Sequence, residues 1–397
     1  MGNQDQYPTS MLRLSNWSFY FVLVFFVGFI ICFPTNTQLL PNTGLLLQPF
    51  LSPLIAQVGH LLYRDEISTF LSSDTRAMYC LIFLLVMLGL ILASVLTLFF
   101  KNINRSTLSF WFTTLLRYYI AYQLLSYGLN KVFKWQFFLP EPNTAYTPMG
   151  QITPDLLYWS AVGSSYWYTV FAGLLEVAAA SLLLFRRTFR LGAFIGLIIM
   201  ANVVAINFGF NISVKLFSTF LLTGCILILW PDLKAVFKLL MGSKAAPGER
   251  WVPVFKKTNS VYYFTKFAIL AFFMADVLYP YASTGNWNDD LEARPMLHGG
   301  FKVEHLPNWK NAFFHRKGYF IVQDSMDVFT DYSLMVDTTK KLLRFSREME
   351  EQYWSYQLLK DGNIVLNDPY SNRMVRLSRL PYRTLPIFRK NFDWHID

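Results

Sequence analysis

Residues 78–100 read MYCLIFLLVMLGLILASVLTLFF and contain no charged side chain. A helix needs about 20 consecutive apolar residues to cross the hydrocarbon core of a bilayer, so this stretch predicts a transmembrane helix. Six further stretches meet or approach the same criterion: 17–33, 108–128, 159–185, 191–210, 214–230 and 261–281. The sequence therefore predicts an α-helical polytopic membrane protein with about seven transmembrane helices.

The composition of the 397-residue chain agrees with this class. Hydrophobic residues make up 54% of the chain and charged residues only 15%, whereas soluble domains have about 25% charged residues. These values exclude intrinsic disorder and argue against a soluble globular protein. The sequence contains no HExxH, GxSxG, Walker A or GxGxxG motif, so the commonest enzyme classes are also disfavoured.

The distribution of Lys and Arg predicts the orientation. If the N-terminus is cytoplasmic, the cytoplasmic segments hold twelve of these residues and the opposite segments hold four. The positive-inside rule favours this orientation, and seven spans then place the C-terminus in the periplasm. We therefore expect a multi-pass protein of the bacterial inner membrane. Its basic excess lies in residues 1–284, which indicates contact with the lipid bilayer and argues against nucleic acid as a partner.

The N-terminal part divides into two regions. Residues 1–106 contain two spans joined by a long outer loop, 34–77. Within that loop the apolar run 45–63 is broken by Pro49 and Pro53, so we expect an interfacial or re-entrant helix there. Residues 107–232 hold the next four spans.

The C-terminal part changes in character. Residues 233–284 comprise a cytoplasmic linker and the last span. Residues 285–397 are polar, with short alternating segments and an Asp361-Gly362 turn. This pattern predicts a small antiparallel β domain, either a barrel or a sandwich.

Two of the central spans share a motif order with a known family. One span carries Arg117-Tyr-Tyr and ends in Ser126-Tyr-Gly-Leu-Asn-Lys131. The next carries Gly173-Leu-Leu-Glu176 and is followed by Arg186-Arg187-Thr188. With these motifs, residues 108–232 resemble the DoxX-like family of four-helix membrane proteins, in which a G-x-x-K step is followed by a G-x-x-E helix.

The resemblance implies a role in membrane-linked sulfur or thiol redox systems, in which some members act with a quinone. The C-terminal region, ending in Arg389-Lys-Asn-Phe-Asp-Trp394, resembles a lipocalin-like β module.

Arg117 and Glu176 are ionisable residues inside predicted spans. Such groups are costly in hydrocarbon and normally face the interior of a helical bundle. The two helices enter the membrane from opposite sides, which puts both residues near mid-depth. We therefore expect a buried Arg117–Glu176 ion pair, with either a structural or a functional role.

A second set of polar residues lies in the outer half of the spans. These side chains are expected either to line an outward-opening polar pocket or to anchor the helices at the membrane interface. The set comprises Tyr127, Asn130, Lys131, Asn202, Asn207, Lys215 and Asp276. Asp276 is expected to be hydrated or to pair with Lys215. Cys32 and Cys80 both lie at outer span ends, and only their separation decides whether they form a disulfide.

Two functions fit these features. The first is a binding or assembly component that presents its periplasmic β domain to a protein partner. The second is a membrane oxidoreductase component with a quinone or thiol substrate in the DoxX-like bundle. The sequence shows no metal or cofactor motif, although a quinone site needs no metal ligands, so we favour the non-enzymatic role.

Overall fold

The computed structural model describes residues 14–33, 37–39, 41–100, 103–230, 232–233, 238, 241–242, 260–348, 350–369 and 373–389. The chain forms two compact units. The helical unit comprises residues 1–133 and 170–287, and the β unit comprises residues 134–169 and 288–397. The predicted combination of a helical membrane region with a C-terminal β domain is confirmed at this level. The segment 134–169, which the sequence places in the central bundle, groups with the β domain instead.

The described residues form ten α-helices. They are α1 Asn16–Cys32, α2 Thr43–Tyr63, α3 Arg76–Phe99, α4 Arg105–Val132, α5 Pro142–Ala145, α6 Pro154–Ser164, α7 Tyr166–Leu184, α8 Phe189–Gly209, α9 Lys215–Leu229 and α10 Ser260–Thr284. Five of them are long and apolar enough to cross a membrane: α2, α3, α7, α8 and residues 263–284 of α10. The helices α1 and α9 are apolar but shorter.

Several helix starts follow from local sequence. Ser15, Asn42, Thr75 and Asn104 precede α1 to α4, and each side chain accepts a hydrogen bond from a backbone N–H of the first helical turn. Such N-caps satisfy one of the backbone donors that have no partner within the helix. The polar residue before each apolar run therefore fixes where the helix begins.

The predicted span 159–185 is wrong as a single helix. The chain leaves helical geometry at Ser165, between α6 and α7. The Thr169 hydroxyl donates to the carbonyl oxygens of Val162 and Ser165, at 2.7 and 2.9 Å, and Lys134 Nζ donates to the Gly163 carbonyl at 2.7 Å. These side chains satisfy carbonyls that a continuous helix would have bonded internally.

Contacts within the helical unit give the directions of its helices. Trp17 of α1 donates to Ser94 of α3 at 3.1 Å, whereas Gly28 faces Leu85, so α1 and α3 are antiparallel. Since α1 and α3 run in opposite directions, the chain leaves α1 and enters α3 on the same side of the unit.

The same reasoning applies to the helices that pack on α4. Gly128 contacts Gly173 and Arg117 reaches Leu184, so α4 and α7 are antiparallel. Asn130 accepts a hydrogen bond from Tyr281 of α10 at 2.8 Å, and the ring of Tyr118, three turns earlier, contacts Phe273. The residue numbers of the two contacts increase together along both helices, so α4 and α10 are parallel.

In the core of the helical unit, stacked aromatic rings connect α1 and the residue after it with α9. The ring of Phe220 stacks on those of Phe26 and Phe29, at centroid distances of 4.6 and 3.9 Å, and Phe33 stacks on Phe217 at 4.6 Å. All three cysteines of the chain are free thiols, so Cys32 and Cys80 form no disulfide.

The β unit contains a closed antiparallel barrel in which the strands follow chain order. They are β1 Gly299–Glu304, β2 Trp309–His315, β3 Tyr319–Asp324, β4 Phe329–Asp337, β5 Leu342–Arg347, β6 Glu350–Leu358, β7 Ile364–Asp368 and β8 Arg373–Arg379. Pairing of β1 with β8, for example Phe301 with Arg379, closes the barrel. Closure decides between the barrel and the sandwich that the sequence left open, because it removes both exposed sheet edges.

Part of the segment 134–169 covers the outside of this barrel. Along β1 to β3, Gly300, Phe313 and Ile321 are register partners that point outward, yet they are buried. Pro142 lies over Gly300, and the ring of Tyr146 contacts Phe313 at a centroid distance of 6.1 Å. The helix α5 therefore shields this face of the barrel from water.

Some predicted features lie outside the described residues. They are the basic residues Arg13, Lys101, Lys234, Lys244, Arg250, Lys256 and Lys257, positions 243–259 of the region predicted as cytoplasmic linker and last span, and the chain end from residue 390.

Candidate functional site

Two buried charges of the helical unit meet between α4 and α7. Lys131 Nζ donates to both carboxylate oxygens of Glu176, at 2.9 and 2.7 Å. Both residues are buried, and the Lys131 ammonium lies 5.7 Å from the ring centroid of Tyr127. A paired charge at this position is a candidate functional feature because ionisable groups in membrane helices are expensive and seldom retained without a role.

Two glycines allow the helices to approach closely enough for this pair. A Cβ atom built on Gly128 would lie 2.8 Å from the carbonyl oxygen of Gly173, and one built on Gly173 would lie 2.6 Å from that of Gly128. Small residues permit such close backbone contact in membranes. Lys131 and Glu176 each follow their glycine by three residues, so they lie on the same helix face as the contact.

The predicted Arg117–Glu176 pair is wrong. Arg117 Nη2 donates to the Leu184 carbonyl at the end of α7, at 3.4 Å, and its guanidinium lies 4.9 Å from the ring centroid of Phe189. Arg117 and Lys131 are 14 residues apart, or about 21 Å along a helix. Because the glycine contact brings residues 128–131 beside Glu176, Lys131 is the cation within reach and Arg117 is not.

The members of the predicted outer pocket have different contact partners in the structure. Asn207 donates to Ser218 at 3.0 Å, and Asn130 accepts from Tyr281. Asn202 is exposed on the surface of α8. Tyr127 and Lys131 lie together, and Asn207 is linked to Lys215 through Ser218, whose hydroxyl donates to the Lys215 carbonyl at 3.0 Å. These side chains lie at a similar depth along their helices, but they project from different faces of those helices and therefore meet different neighbours.

Asp276 and Lys215 do not pair with each other. Asp276 is fully buried and accepts hydrogen bonds from the backbone N–H groups of Gln38 and Leu39, at 2.9 and 2.7 Å. It also accepts one from the Tyr122 hydroxyl. Lys215 Nζ lies 3.8 Å from Asp74, whose carboxylate accepts the backbone N–H of Lys215 at the start of α9. Both acids therefore tie separate chain segments together.

The β unit contains a second cluster of charged groups, centred on Glu141. His298 Nε2 lies 2.9 Å from Glu141 Oε2, and His315 Nε2 lies 3.9 Å from the same oxygen. Arg316 Nε lies 3.1 Å from Glu141 Oε1, and Arg316 also pairs with Asp289. The cluster joins the covering segment to the first two strands of the barrel.

The surroundings of Glu141 and His315 shift their pKa values. Burial alone raises the pKa of Glu141, but the hydrogen bond from His298 and the positive charges of His315, His298 and Arg316 outweigh it, so the net shift is downward. Burial also lowers the pKa of His315, although Glu141 opposes this shift. The Nδ1 atom of His315 accepts the Lys317 backbone N–H at 3.1 Å, an arrangement that suits the neutral ring.

Neighbouring contacts extend the cluster. Lys134, fully buried, lies 3.4 Å from Asp290, and Asp290 accepts the Leu139 backbone N–H at 2.8 Å. Burial raises the pKa of Asp290 despite these contacts. Among the residues that the structure describes, no three His, Cys, Asp or Glu side chains are placed to share a metal ion.

Sequence reasoning did not identify the Glu141 cluster. Glu141 and His298 are 157 residues apart, and neither belongs to a spaced motif. The available signal was local: a lone acid between Pro140 and Pro142, and a basic run at the end of β2, His315-Arg316-Lys317. Neither signal reveals that the two segments meet.

Comparison with known proteins identifies a bacterial relative. Over 125 residues the chain is 36% identical to the uncharacterized protein YwoB of Bacillus subtilis (strain 168), a match that covers 29% of this chain and 73% of YwoB. No known family model matches the chain, and no solved structure matches it. The identity and the coverage of YwoB place both proteins in one family.

Proposed function

We propose that this member of the YwoB family is a multi-pass inner-membrane protein that presents its β unit to a protein partner in the periplasm. The observation that carries the proposal is the contrast between the two sides of the barrel wall. The interior is filled, whereas the outer face of β4 to β6 exposes large apolar side chains.

The filled interior argues against a carrier of small molecules. Ring contacts connect Phe314 to Phe320 at a centroid distance of 4.9 Å, Phe320 to Phe345 at 4.5 Å, and Phe345 to Trp354 at 6.3 Å. These side chains are buried and form one core cluster. Eight-stranded barrels are just wide enough for such filling. The lipocalin-like resemblance therefore concerns the strand topology and gives no support for a ligand cavity.

The outer face of β4 to β6 is the candidate contact surface. Met335, Arg344 and Tyr353 are register partners across these strands; Met335 is 64% exposed and Tyr353 39%. The guanidinium of Arg344 pairs with Glu351 beside them. Exposed apolar groups surrounded by charges are typical of protein-binding surfaces, and flexible Met side chains adapt to a partner's shape.

We further propose seven membrane crossings with the N-terminus in the cytoplasm. The antiparallel arrangement of α1 with α3 and of α4 with α7 supports alternating crossings. Because the chain leaves α1 and enters α3 on the same side, an interfacial or re-entrant position suits the intervening helix α2 better than a single crossing. The twelve-to-four distribution of Lys and Arg supports the orientation.

Reporter fusions test this topology. An alkaline phosphatase fused after Asp397 should be active in the periplasm, and one fused at Ser243 should be inactive in the cytoplasm. A cytoplasmic C-terminal fusion would require an even number of crossings and would remove the periplasmic partner from the proposal.

Photo-crosslinking in intact cells tests the partner. A benzophenone amino acid at Tyr353 of the full chain should give an adduct of one discrete mass, and Met335→Asp should reduce its yield. The same amino acid at Lys302, an exposed position on β1, serves as the control. Equal adduct yields at Tyr353 and Lys302, or no adduct at Tyr353, would contradict specific binding of a partner to the outer face of β4 to β6.

One observation favours the second candidate function. Lys131, Glu176 and Tyr127 place polar groups together inside the helical unit, and the DoxX-like resemblance of residues 108–232 connects such bundles with quinone- or thiol-linked oxidoreductases. A quinone that copurifies with the chain, or that raises its melting temperature with dependence on Glu176, would support this function. A quinone-independent melting temperature would count against it.

A further inference from the structure

The turn between α7 and α8 collects positively charged side chains from three parts of the helical unit. Arg117 of α4 donates to the Leu184 carbonyl and lies over the Phe189 ring. Lys266 of α10 lies with its Nζ 4.6 Å from the ring centroid of Phe185. Residues 184–189 are therefore the meeting point of two cations that belong to different helices.

A third cation belongs to the turn itself. Arg186 directly follows Phe185, whose ring Lys266 contacts, and Arg117 lies over Phe189 of the same turn. Among the described residues, no carboxylate lies within 4.0 Å of the Lys266 ammonium. The neighbouring Arg190 differs, because Asp232 lies 2.8 Å from its Nε atom. Lys266 is thus a cation beside a turn to which Arg186 and Arg117 also bring positive charge.

Like charges that converge in a poorly solvated place repel each other, and an anion would relieve the repulsion. The carbonyl end of α7 contributes partial negative charge there, but only about half an elementary charge. The turn ends a helix of membrane-spanning length, so it lies at the depth of lipid headgroups. Basic pockets between membrane helices bind phosphate headgroups at such positions.

We infer that Arg186 and Lys266 bind a phosphate group at this turn, and that the source is the headgroup of an anionic phospholipid. Both residues are partly exposed and can contact the phosphate, whereas Arg117 is buried behind the turn. Arg117 acts as a positioning residue, because its positive charge attracts the phosphate to the turn without direct contact. The inference does not depend on which side of the membrane the turn faces, and it is independent of the proposed partner of the β unit.

Native mass spectrometry of the full chain tests the site with three probes. The protein is released from nanodiscs of phosphatidylglycerol or of phosphatidylcholine, and separately from detergent with inorganic phosphate. We expect retained phosphatidylglycerol, little phosphatidylcholine, and no effect of phosphate. Lys266→Gln and Arg186→Gln should each reduce phosphatidylglycerol retention about fivefold, as expected for one basic residue near a membrane surface.

Arg187→Gln is the matched control, because Arg187 lies in the same turn and is exposed. It should leave retention unchanged. Equal losses in all three variants would show general charge attraction and overturn the site. If inorganic phosphate displaced the lipid, the phosphate site would stand, but free phosphate and not a lipid headgroup would be its ligand. Should a Gln variant unfold, Lys266→Arg keeps the charge and should retain the lipid, and its failure to do so would also overturn the inference.

Discussion

At the scale of single residues, the helical unit depends on which cation reaches Glu176. Two hydrogen bonds from Lys131 compensate the carboxylate inside the bundle. Arg117 instead interacts with the carbonyl end of α7 and with aromatic rings. Lys131 and Glu176 therefore balance each other, whereas Arg117 lies about four helical turns away and meets a carbonyl and aromatic rings.

A double-mutant cycle tests the Lys131–Glu176 pair. Glu176→Gln should reduce stability by roughly 3–5 kcal/mol, because it leaves a buried ammonium without its counter-charge. Lys131→Met should have a similar cost, and Lys131→Met with Glu176→Met should cost much less than the sum. Thermal unfolding in detergent measures all of these variants.

The control replaces Arg117 by Met in the same assay. Its loss should add to that of Glu176→Gln, because the two residues do not touch. Strong coupling between Arg117 and Glu176, with additivity between Lys131 and Glu176, would contradict the pairing described above.

At the scale of secondary-structure elements, the crossing of α4 and α7 controls the site. The glycines of G-x-x-K and G-x-x-E bring the two backbones into contact, and the spacing of three then aligns the charged residues. The sequence supplied both motifs, but not the fact that their glycines pack on each other. That contact depends on helix direction and rotation, which no local pattern specifies.

Gly173→Ala tests this contact. The added methyl group would meet the Gly128 carbonyl oxygen at 2.6 Å, so the helices must separate, at a cost of about 1–3 kcal/mol. The pair of Lys131 and Glu176 should weaken with it. Gly209→Ala is the control, since a Cβ there has no neighbour within 4 Å. Melting temperatures that fall equally in both variants would mean that the crossing is not the cause.

At the scale of the whole molecule, two parts of the chain distant in sequence build the β unit. Glu141 belongs to the segment between α4 and α7, whereas His298 and His315 belong to the barrel region. The cluster therefore couples the protonation of these groups to attachment of the covering segment on β1 to β3.

The stability of the β unit should fall between pH 7.5 and pH 5.5. The pKa of His315 is lower in the folded protein than its usual 6.5, so the unfolded chain binds more protons in this range and acidification favours it. Glu141, whose pKa is also lowered, acts in the same direction only below about pH 4.5. Burial raises the pKa of Asp290, which has the opposite effect on stability.

Hydrogen exchange of β2 amides at the two pH values measures this effect. His315→Gln should flatten the dependence, because the titrating group is removed. His305→Asn, a change at an exposed histidine with positive φ that Asn tolerates, should preserve it. Increased protection at pH 5.5 in the parent protein would contradict the expected loss of stability on acidification.

The sequence by itself determined the local features. The apolar run 78–100 became α3, Arg76–Phe99, and 191–210 became α8, Phe189–Gly209. The Asp361-Gly362 turn lies between β6 and β7, with Gly362 at φ 83°, as its sequence predicted. Helices and tight turns follow from contacts between residues close in the chain, so composition and spacing are sufficient to predict them.

Only the tertiary structure decided the partners. Lys131 replaced Arg117 beside Glu176 because the glycine contact set the register of two helices. Barrel closure required β1 to meet β8, and Glu141 met histidines far along the chain. Such contacts depend on the directions and rotations of whole elements, and a shift of one helical turn changes the residues that meet. The physical reason is that many pairings of helices and strands bury similar amounts of apolar surface and so have similar free energies. Only the close packing of the complete core selects one of them.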